Sequence, residues 1–227
     1  MTAPRLIDLS HGLAPGMPSY PGLPAPRFAT VFTHAESMAR GSYAPGTTFQ
    51  VASYELAGNT GTAVEAPFHR HEHGADLAGV PLERLANLPG IVIPAVPDGP
   101  IGPDVFSGRD GATPAALAGH AVLVHTGWAR RWGGDDYFRS GPFLTAEACH
   151  LLVSAGVALV GIDCANVDDM GDTSRPAHTI LLGADIPIVE HLCNLEALPP
   201  SGFHFFAVPP AIAGGTSFPV RAFALTP

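Results

Sequence analysis

Two continuously apolar runs with a helical segment between them stand out in the pattern of apolar and polar positions. His120–Thr126 contains the run Ala-Val-Leu-Val, and Val157–Ile162 has no polar side chain. Thr145–Ala155 has helical spacing of its apolar residues, with Thr145 as the N-cap and Gly156 as the stop. A helix between two buried strands predicts a β-α-β crossover, which joins parallel strands of one sheet.

Shorter runs rich in β-branched and aromatic residues predict further strands. These predicted strands are Leu6–Leu9, Phe28–His34, Thr47–Leu56, Gly90–Ala95, Phe203–Val208 and Val220–Leu225. Helical turns are predicted at Leu82–Leu85 and Pro114–Ala118, and a proline-rich loop at residues 12–27. The 24 prolines and 26 glycines are spread over all 227 residues without a repeat or a linker, so we expect a single domain, 1–227.

The charge balance excludes several classes of function. The chain has 20 acidic residues against 11 basic ones, a net charge of -9, and lacks the basic surface that nucleic acid binding requires. All 11 basic residues are arginine, so a Schiff base or a pyridoxal phosphate anchor on lysine is excluded. Charged residues make up only 14%, against about 25% in typical soluble proteins. We therefore expect subunit contacts to cover part of the surface, in a homodimer or homotetramer.

The cysteines and the apolar segments indicate the compartment. Cys149, Cys164 and Cys193 are odd in number and have no CxxC spacing, which argues against a disulfide framework and a structural zinc site. The first residues lack the features of a signal peptide, and no run approaches the roughly 20 apolar residues of a membrane span. We expect a cytoplasmic protein that binds a small molecule and not a membrane.

The first candidate for chemistry is the segment Asn59–His69, with the sequence NTGTAVEAPFH. In an extended chain, residues two apart share a face, so the odd-numbered side chains from 59 to 69, including Glu65 and His69, can converge on one volume. His71 and His73 continue this parity. Histidines at alternate positions can chelate a metal, but a solvated polar loop is the commoner outcome of such a pattern.

The second candidate is the pair His178 and Glu190. Glu190 follows the apolar run Ile186–Val189, where a carboxylate is either exposed at the end of an element or buried and paired. Two aromatic residues are candidates for a substrate pocket together with Asn59: Tyr20, in the proline-rich loop, and Trp128, after a buried strand. As isolated residues, such aromatics are more often part of the core.

Taken together, these segments resemble the cyclase family, which includes bacterial kynurenine formamidase and isatin hydrolase. That family carries His-x-Gly-Thr-His-x-Asp-x-Pro-x-His, then a later His and, about one element further on, a Glu. The chain matches this pattern at six positions, Gly61, Thr62, Pro67, His69, His178 and Glu190. Other stretches that resemble the family follow in order, namely Asp8–Ser10, Gly16–Pro18, Tyr20–Gly22, Leu123–Trp128, Gly161–Asp163, Asn194–Leu195 and Pro219–Ala222.

The resemblance implies an α/β fold of the swivelling β/β/α type, with a mixed, barrel-like β core and a few helices. In relatives, the motif histidines and aspartate, with the later His and Glu, hold one or two divalent metals, often zinc or manganese. The last His of the motif is the acid/base. This chain has Asn59 and Ala63 in place of two metal-binding histidines, and Glu65 in place of the aspartate.

The ligands that remain imply a partial site for one divalent metal, zinc or manganese, or no metal at all. Its ligands would be Glu65, His178 and Glu190. His69 would be the acid/base, and Glu190 would be the carboxylate that acts with it in catalysis. His71 or His73 could substitute for a lost imidazole.

Three functions stay open at this point. The first is a small-molecule hydrolase that acts on an amide C–N bond or opens a related ring. The second is a metal-independent cyclase, dehydratase or isomerase of secondary metabolism that uses His69 with a carboxylate. The third is a non-catalytic small-molecule binding protein. An activity assay after chelation separates the first two, and ligand binding without turnover would identify the third.

Overall fold

A mixed sheet of nine strands, curled into a half-barrel, dominates the computed structural model of the protein. The structure describes residues 4–95, 98–107, 114–139 and 141–227. Two small two-stranded sheets and three α-helices surround the large sheet in these residues. The predicted α/β fold with a mixed, barrel-like β core and few helices is therefore confirmed.

The elements are numbered along the chain. The strands are β1 Arg5–Asp8, β2 Arg27–Phe32, β3 Val51–Glu55, β4 Ala63–Glu65, β5 Leu88–Pro94, β6 Pro100–Ile101, β7 Ala121–His125, β8 Phe143–Leu144, β9 Leu159–Ile162, β10 Ile188–Glu190, β11 Ser201–Phe206, β12 Ser217–Pro219 and β13 Phe223–Thr226. The helices are α1 His34–Ala39, α2 Ala146–Ala155 and α3 Pro176–Gly183. The large sheet has the order β1-β13-β11-β5-β7-β9-β10-β4-β12.

Parallel strands form the centre of this sheet. Strand β7 pairs in parallel with β5 and β9, and β9 pairs in parallel with β10. The predicted crossover is confirmed as β7-α2-β9. Helix α2 has Thr145 as its N-cap, with the hydroxyl accepting the N–H of Ala148, and ends at Gly156 with a φ of 72°.

The register between β4 and β10 places two glutamates close together. These strands are antiparallel, and Glu65 faces Ile188 while Ala63 faces Glu190. Directly paired residues share a face of the sheet, as do residues two apart on one strand. Glu65 and Glu190 therefore project from the same face of neighbouring strands.

The central strands are buried on both faces. Leu123 belongs to one apolar cluster, whereas its neighbours Val122 and Val124 belong to a second cluster on the other face. Leu152 of α2 and Leu181 of α3 pack in this second cluster. Burial on both faces explains why β7 is a continuous apolar run without alternation.

Several predicted elements differ from the observed ones. The strand predicted at Phe28–His34 ends at Phe32, because Thr33 and Glu36 form a capping box that starts α1. The strand predicted at Thr47–Leu56 begins only at Val51. The two predicted helical turns are 3-10 turns, at Leu82–Arg84 and Pro114–Leu117.

The segment from 59 to 69 is not extended throughout. Only Ala63–Glu65 is a strand, and Pro67–His69 is a 3-10 turn. Side-chain parity is therefore lost after Glu65, so alternation does not explain the position of His69. None of the helices in the described part of the chain has the length and apolar character needed to cross a bilayer.

Candidate active site

Most of the site residues predicted from the sequence lie at one cavity beside β4 and β10. It has a volume of about 440 Å³. Six of the residues proposed from the sequence line this cavity, namely Tyr20, Asn59, Glu65, His69, His178 and Glu190. The pairing of distant strands and helices thus brings together side chains that the sequence presents in three separate segments.

The four side chains that could ligate a metal or transfer protons come from four different elements. Glu65 is the last residue of β4, and Glu190 is the last residue of β10. His178 lies in the first turn of α3, and His69 ends the 3-10 turn that follows β4. The carboxyl end of a strand and the first turn of a helix are positions that direct side chains into a cleft beside a sheet.

His178 is a buried imidazole surrounded by carboxylates. Its Nδ1 lies 2.6 Å from Oδ2 of Asp168, and its Nε2 lies 2.8 Å from Oε2 of Glu65 and 3.7 Å from Oε1 of Glu190. Burial opposes protonation, but the charge of Glu65 and the hydrogen bond to Asp168 raise the pKa of His178 well above its ordinary value. The surrounding carboxylates therefore favour the protonated imidazole in the absence of a metal.

Asp168 fixes the orientation of this imidazole. Its Oδ1 accepts the backbone N–H of Ala177 at 2.6 Å, and its Oδ2 accepts the backbone N–H of His178 at 3.2 Å. One carboxylate thus satisfies the free N–H groups at the start of α3 and also holds the Nδ1 side of the ring. The Nε2 side is left to face Glu65 and the cavity.

Glu65 is buried and has polar neighbours on both carboxylate oxygens. The amide of Asn59 donates a short hydrogen bond to Oε1, and the hydroxyl of Ser217 donates to Oδ1 of Asn59 at 2.8 Å. Nε2 of His69 lies 3.6 Å from Oε1. Burial raises the pKa of Glu65, but the charge of the neighbouring His178 more than offsets this effect, so the pKa lies below its usual value.

Glu190 is the second buried carboxylate of the site. Its Oε1 accepts the backbone N–H of Val167 at 2.8 Å. Burial, and then the charge of Glu65, raise the pKa of Glu190 to about 8. At neutral pH the two glutamates therefore carry different charges, with Glu65 ionised and Glu190 largely protonated.

The donor atoms at the floor of the cavity fit a divalent metal. Glu65, His69 and His178 each offer a ligand atom, and these atoms lie within 4.8 Å of one another. Oε2 of Glu65 is fully buried and, although His178 is close, receives no well-directed hydrogen bond from the described residues. Imidazole nitrogen and carboxylate oxygen are ligands for zinc or manganese, and a carboxylate behind the imidazole, as Asp168 is here, typically orients such a ligand.

Trp128 does not belong to the cavity, which corrects the prediction made for it. The residue follows β7, but its side chain is only 4% exposed and packs in the second apolar cluster. Its indole N–H donates to the carbonyl of Tyr137 at 3.1 Å, and the guanidinium of Arg131 lies 4.1 Å from the ring centre. Both groups hold the ring in the core.

His71 and His73 also lie outside the group of candidate ligands. Both line a separate depression near Gly183, and Nε2 of His71 lies 3.1 Å from the carbonyl oxygen of Thr179. Beyond Arg70 the chain leaves the lining of the cavity. Neither histidine therefore replaces an imidazole lost at Asn59 or Ala63.

The cavity also contains residues that the sequence did not indicate. Arg70 and Arg175 line it, together with Asn166. Asp168 stands behind His178, nine and ten residues before the two N–H groups that it caps. A sequence pattern for helix capping is sought at the N-cap residue, which for α3 is Arg175. Asp168 lies seven residues earlier in the chain, so no local pattern identifies it.

Comparison with known proteins agrees with this geometry. The chain is 29% identical to the kynurenine formamidase of Salinibacter ruber over 219 residues, which are 96% of this chain and 95% of the relative. It is also 29% identical to that of Maricaulis maris over 221 residues, 96% of each. Isatin hydrolase A from Labrenzia aggregata, solved bound to benzyl benzoate, superposes with a TM-score of 0.83 at 25% identity, covering 99% of this chain and 94% of that one.

The cyclase family model matches residues 7–169, which is more than half of the 227-residue chain. The matched segment includes Asn59, Glu65 and His69, and the similarity to the relatives extends over the later helix and strand that carry His178 and Glu190. The resemblance found in the sequence motifs is therefore confirmed over the full length of the fold. The chain belongs to the cyclase family.

Proposed function

We propose that the protein hydrolyses an amide C–N bond, or opens a related ring, in a small molecule. The observation that carries this proposal is the convergence of Glu65, His69, His178 and Glu190 on the floor of one cavity. Support comes from the relatives, which are named kynurenine formamidase and isatin hydrolase.

Glu65, His178 and Glu190 would hold one divalent cation, zinc or manganese. Two buried carboxylates next to one imidazole are unfavourable alone, as the raised pKa of Glu190 indicates, and a cation between them would offset this repulsion. When bound, such a metal would polarise the carbonyl group of a substrate and lower the pKa of a water molecule. His69 lies close to these ligands but would remain free to act as the acid/base.

His69 is the side chain best placed to exchange protons with a substrate. Its side chain is 31% exposed, whereas those of Glu65, His178 and Glu190 are 1–7% exposed. In hydrolysis, Nε2 of His69 would take a proton from the attacking water and return it to the leaving nitrogen, so that one amide and one water give one carboxylic acid and one amine, and the acid then loses its proton to solvent. The negative charge of Glu65, 3.6 Å away, would stabilise the protonated imidazole between these transfers.

The remaining residues of the site support these four. Asn59 holds Oε1 of Glu65, and Asp168 holds Nδ1 of His178, so each side chain has a fixed orientation. Tyr20 and Leu23 come from the proline-rich loop and line the same cavity. This loop would contact the organic body of the substrate and limit access of water.

The test combines metal analysis with an assay on N-formyl anilines. Purified protein is expected to contain at least about 0.5 equivalents of a divalent metal, and chelation should abolish hydrolysis that zinc or manganese then restores. Glu190→Gln should remove both the metal and the activity. Glu196→Gln is the matched control, because its side chain is 59% exposed and lies outside the cavity.

Each of three outcomes would overturn one part of the proposal. Hydrolysis that persists in fully metal-free protein would assign the chemistry to His69 and a carboxylate without metal, as in the cyclase, dehydratase or isomerase alternative. Metal and ligand binding without turnover of any amide would leave a binding protein. Glu190→Gln with full activity would remove Glu190 from the site.

A further inference from the structure

We infer that Arg70 and Arg175 form a subsite for a carboxylate carried by the substrate, so that the protein acts on anionic amides. This inference rests on the proposed amide hydrolysis and specifies its substrate class. Both arginines line the cavity that has Glu65 and His178 on its floor.

The two arginines are placed directly next to the proposed chemistry. Arg70 follows His69 in the chain, at the C-terminal end of the 3-10 turn. Arg175 is the residue before α3, three positions ahead of His178, which is about one helical turn. Each arginine is therefore next to an element that supplies a site residue: Arg70 follows the turn that ends at His69, and Arg175 precedes the helix that carries His178.

Arg70 is held by neutral oxygens. Its Nε donates to the hydroxyl of Thr179 at 2.9 Å, and its Nη2 donates to the carbonyl of Ser174 at 2.9 Å. These bonds tie the turn after β4 to the start of α3. They fix the guanidinium without neutralising its charge.

Arg175 is held in the same way. Its Nη1 donates to the carbonyl of Asp169 at 3.3 Å, and its Nη2 donates to the hydroxyl of Tyr20 at 3.3 Å. The backbone of Arg175 has a φ of 49°, in the left-handed region that residues other than glycine seldom adopt. Tyr20 uses its oxygen as an acceptor here, so its own O–H can donate to a ligand in the cavity.

Neither arginine forms a close ion pair among the described residues, although Arg175, after the hydrogen bonds of Ser174, contributes to the lowered pKa of Asp172. Arg27, Arg131 and Arg221 each pair with a carboxylate at 2.7–2.9 Å. Among the described residues, no carboxylate lies within 4.0 Å of a guanidinium nitrogen of Arg70 or Arg175. Acidic residues outnumber arginines in the chain by 20 to 11. The lack of a close ion pair at these two arginines is therefore not explained by a lack of acidic residues.

A carboxylate is the anion that fits this position. Guanidinium groups bind carboxylates through paired, charge-assisted hydrogen bonds, and side chains that are already held in place lose little entropy on binding. A phosphate dianion is less suitable, because the ionised carboxylate of Glu65 lies on the floor of the same cavity and would repel the additional charge. Pro21 and Leu23 also line the cavity and suit an apolar body between the carboxylate and the amide.

The experiment compares two matched sets of substrates with metal-loaded protein. One set consists of N-formylated aminobenzoates, and the other of the corresponding N-formylated aminobenzamides, ring position for ring position. The wild type is expected to prefer the best benzoate over its benzamide at least about tenfold in kcat/KM, mainly through KM. Calorimetric binding of the products, aminobenzoate and aminobenzamide, gives a second readout that needs no turnover.

The variants are Arg70→Gln and Arg175→Gln, each compared with its lysine counterpart. Each glutamine variant should lower kcat/KM for the benzoate about 10- to 100-fold more than for the benzamide, mainly through KM. The lysine variants keep the charge and should recover part of the loss. Arg5→Gln is the control, because Arg5 is exposed on β1 at the opposite edge of the sheet, and both substrates should be unaffected.

The outcomes separate this inference from the proposed function. Equal loss for both substrates in the glutamine variants, a wild type that prefers the benzamide, or stronger competition by phenyl phosphate than by benzoate would overturn the carboxylate subsite while amide hydrolysis stands. If no amide is hydrolysed but aminobenzoate binds and Arg175→Gln removes that binding, the subsite stands and the hydrolase proposal falls. If neither product binds and no amide is hydrolysed, both fall.

Discussion

Nδ1 of His178 lies 2.6 Å from Oδ2 of Asp168, and the same carboxylate accepts the N–H groups of Ala177 and His178 at the start of α3. The orientation of the imidazole is therefore tied to the position of the helix. A change at Asp168 affects the candidate metal ligand and the helix start together, although Asp168 has no contact with the substrate cavity.

We expect Asp168→Asn to weaken metal binding about 10- to 100-fold, because an amide is uncharged and has one acceptor oxygen, whereas the carboxylate uses both oxygens to hold Nδ1–H and the backbone N–H groups. Competition with a fluorescent chelator measures this affinity. The neighbouring Asp169→Asn is the control, since Asp169 is exposed and its side chain accepts the N–H of Gly171 in a surface turn. Equal affinities in the wild type and Asp168→Asn would show that the ring is oriented by other contacts.

Asn59→Asp tests the environment of Glu65. The aspartate keeps the acceptor for Ser217 but places a third carboxylate against Oε1 of Glu65. We expect a lower Tm without metal and a larger rise in Tm on addition of zinc or manganese than in the wild type, because the cation offsets the added repulsion. Asn194→Asp, which changes an amide bonded to the carbonyl of Asp8, is the control. A metal-induced rise identical to that of the wild type would separate Asn59 from the metal site.

Gly90→Ala tests the packing between β5 and β11. Gly90 pairs with Phe203, and a Cβ at position 90 would overlap the phenyl ring, which is 1% exposed. Overpacking of this kind costs about 1–3 kcal/mol of unfolding free energy. Urea denaturation measures it, with Gly12→Ala as the control, because apart from its chain neighbours no atom of the described residues would lie within 4 Å of a Cβ there. Unchanged stability would mean that the ring moves at no cost.

Local signals in the sequence were sufficient to predict the centre of the fold. The run in β7 is apolar because both faces are buried, and α2 begins and ends at the predicted Thr145 and Gly156 because both are local capping residues. Helix α1 was missed, because the capping box of Thr33 and Glu36 lies inside a run that otherwise favours a strand. Propensity alone does not settle such short segments.

The site was predictable only in part, since much of it depends on contacts between distant segments. Glu65 and Glu190 meet through the register of β4 and β10, which no pattern within either strand specifies. The family motif identified these two residues, but Asp168, Arg70 and Arg175 carry no local signature. Trp128 was placed in the pocket from its position after β7, whereas its hydrogen bond to Tyr137 directs it into the core.

The last prediction concerns His191 and the stability of the protein in acid. His191 is buried, with Nδ1 2.9 Å from the hydroxyl of Tyr137, and burial lowers its pKa to about 3. The unfolded chain binds this proton near pH 6.5, so the contribution of neutral His191 is complete above pH 6.5 and is lost as the pH falls towards 3. At pH 5 the loss is about 2 kcal/mol.

The other buried ionisable groups also titrate in this range, so the prediction is stated as a difference between variants. His191→Asn should gain Tm relative to the wild type as the pH is lowered from 7 to 5, because asparagine takes up no proton and tolerates the φ of 57° at this position. Thermal unfolding at several pH values measures the difference. His204→Asn, which changes an exposed imidazole on β11, should follow the wild type throughout. Parallel curves for His191→Asn and the wild type would mean that His191 binds its proton equally in the folded and unfolded states, contrary to its burial beside Tyr137.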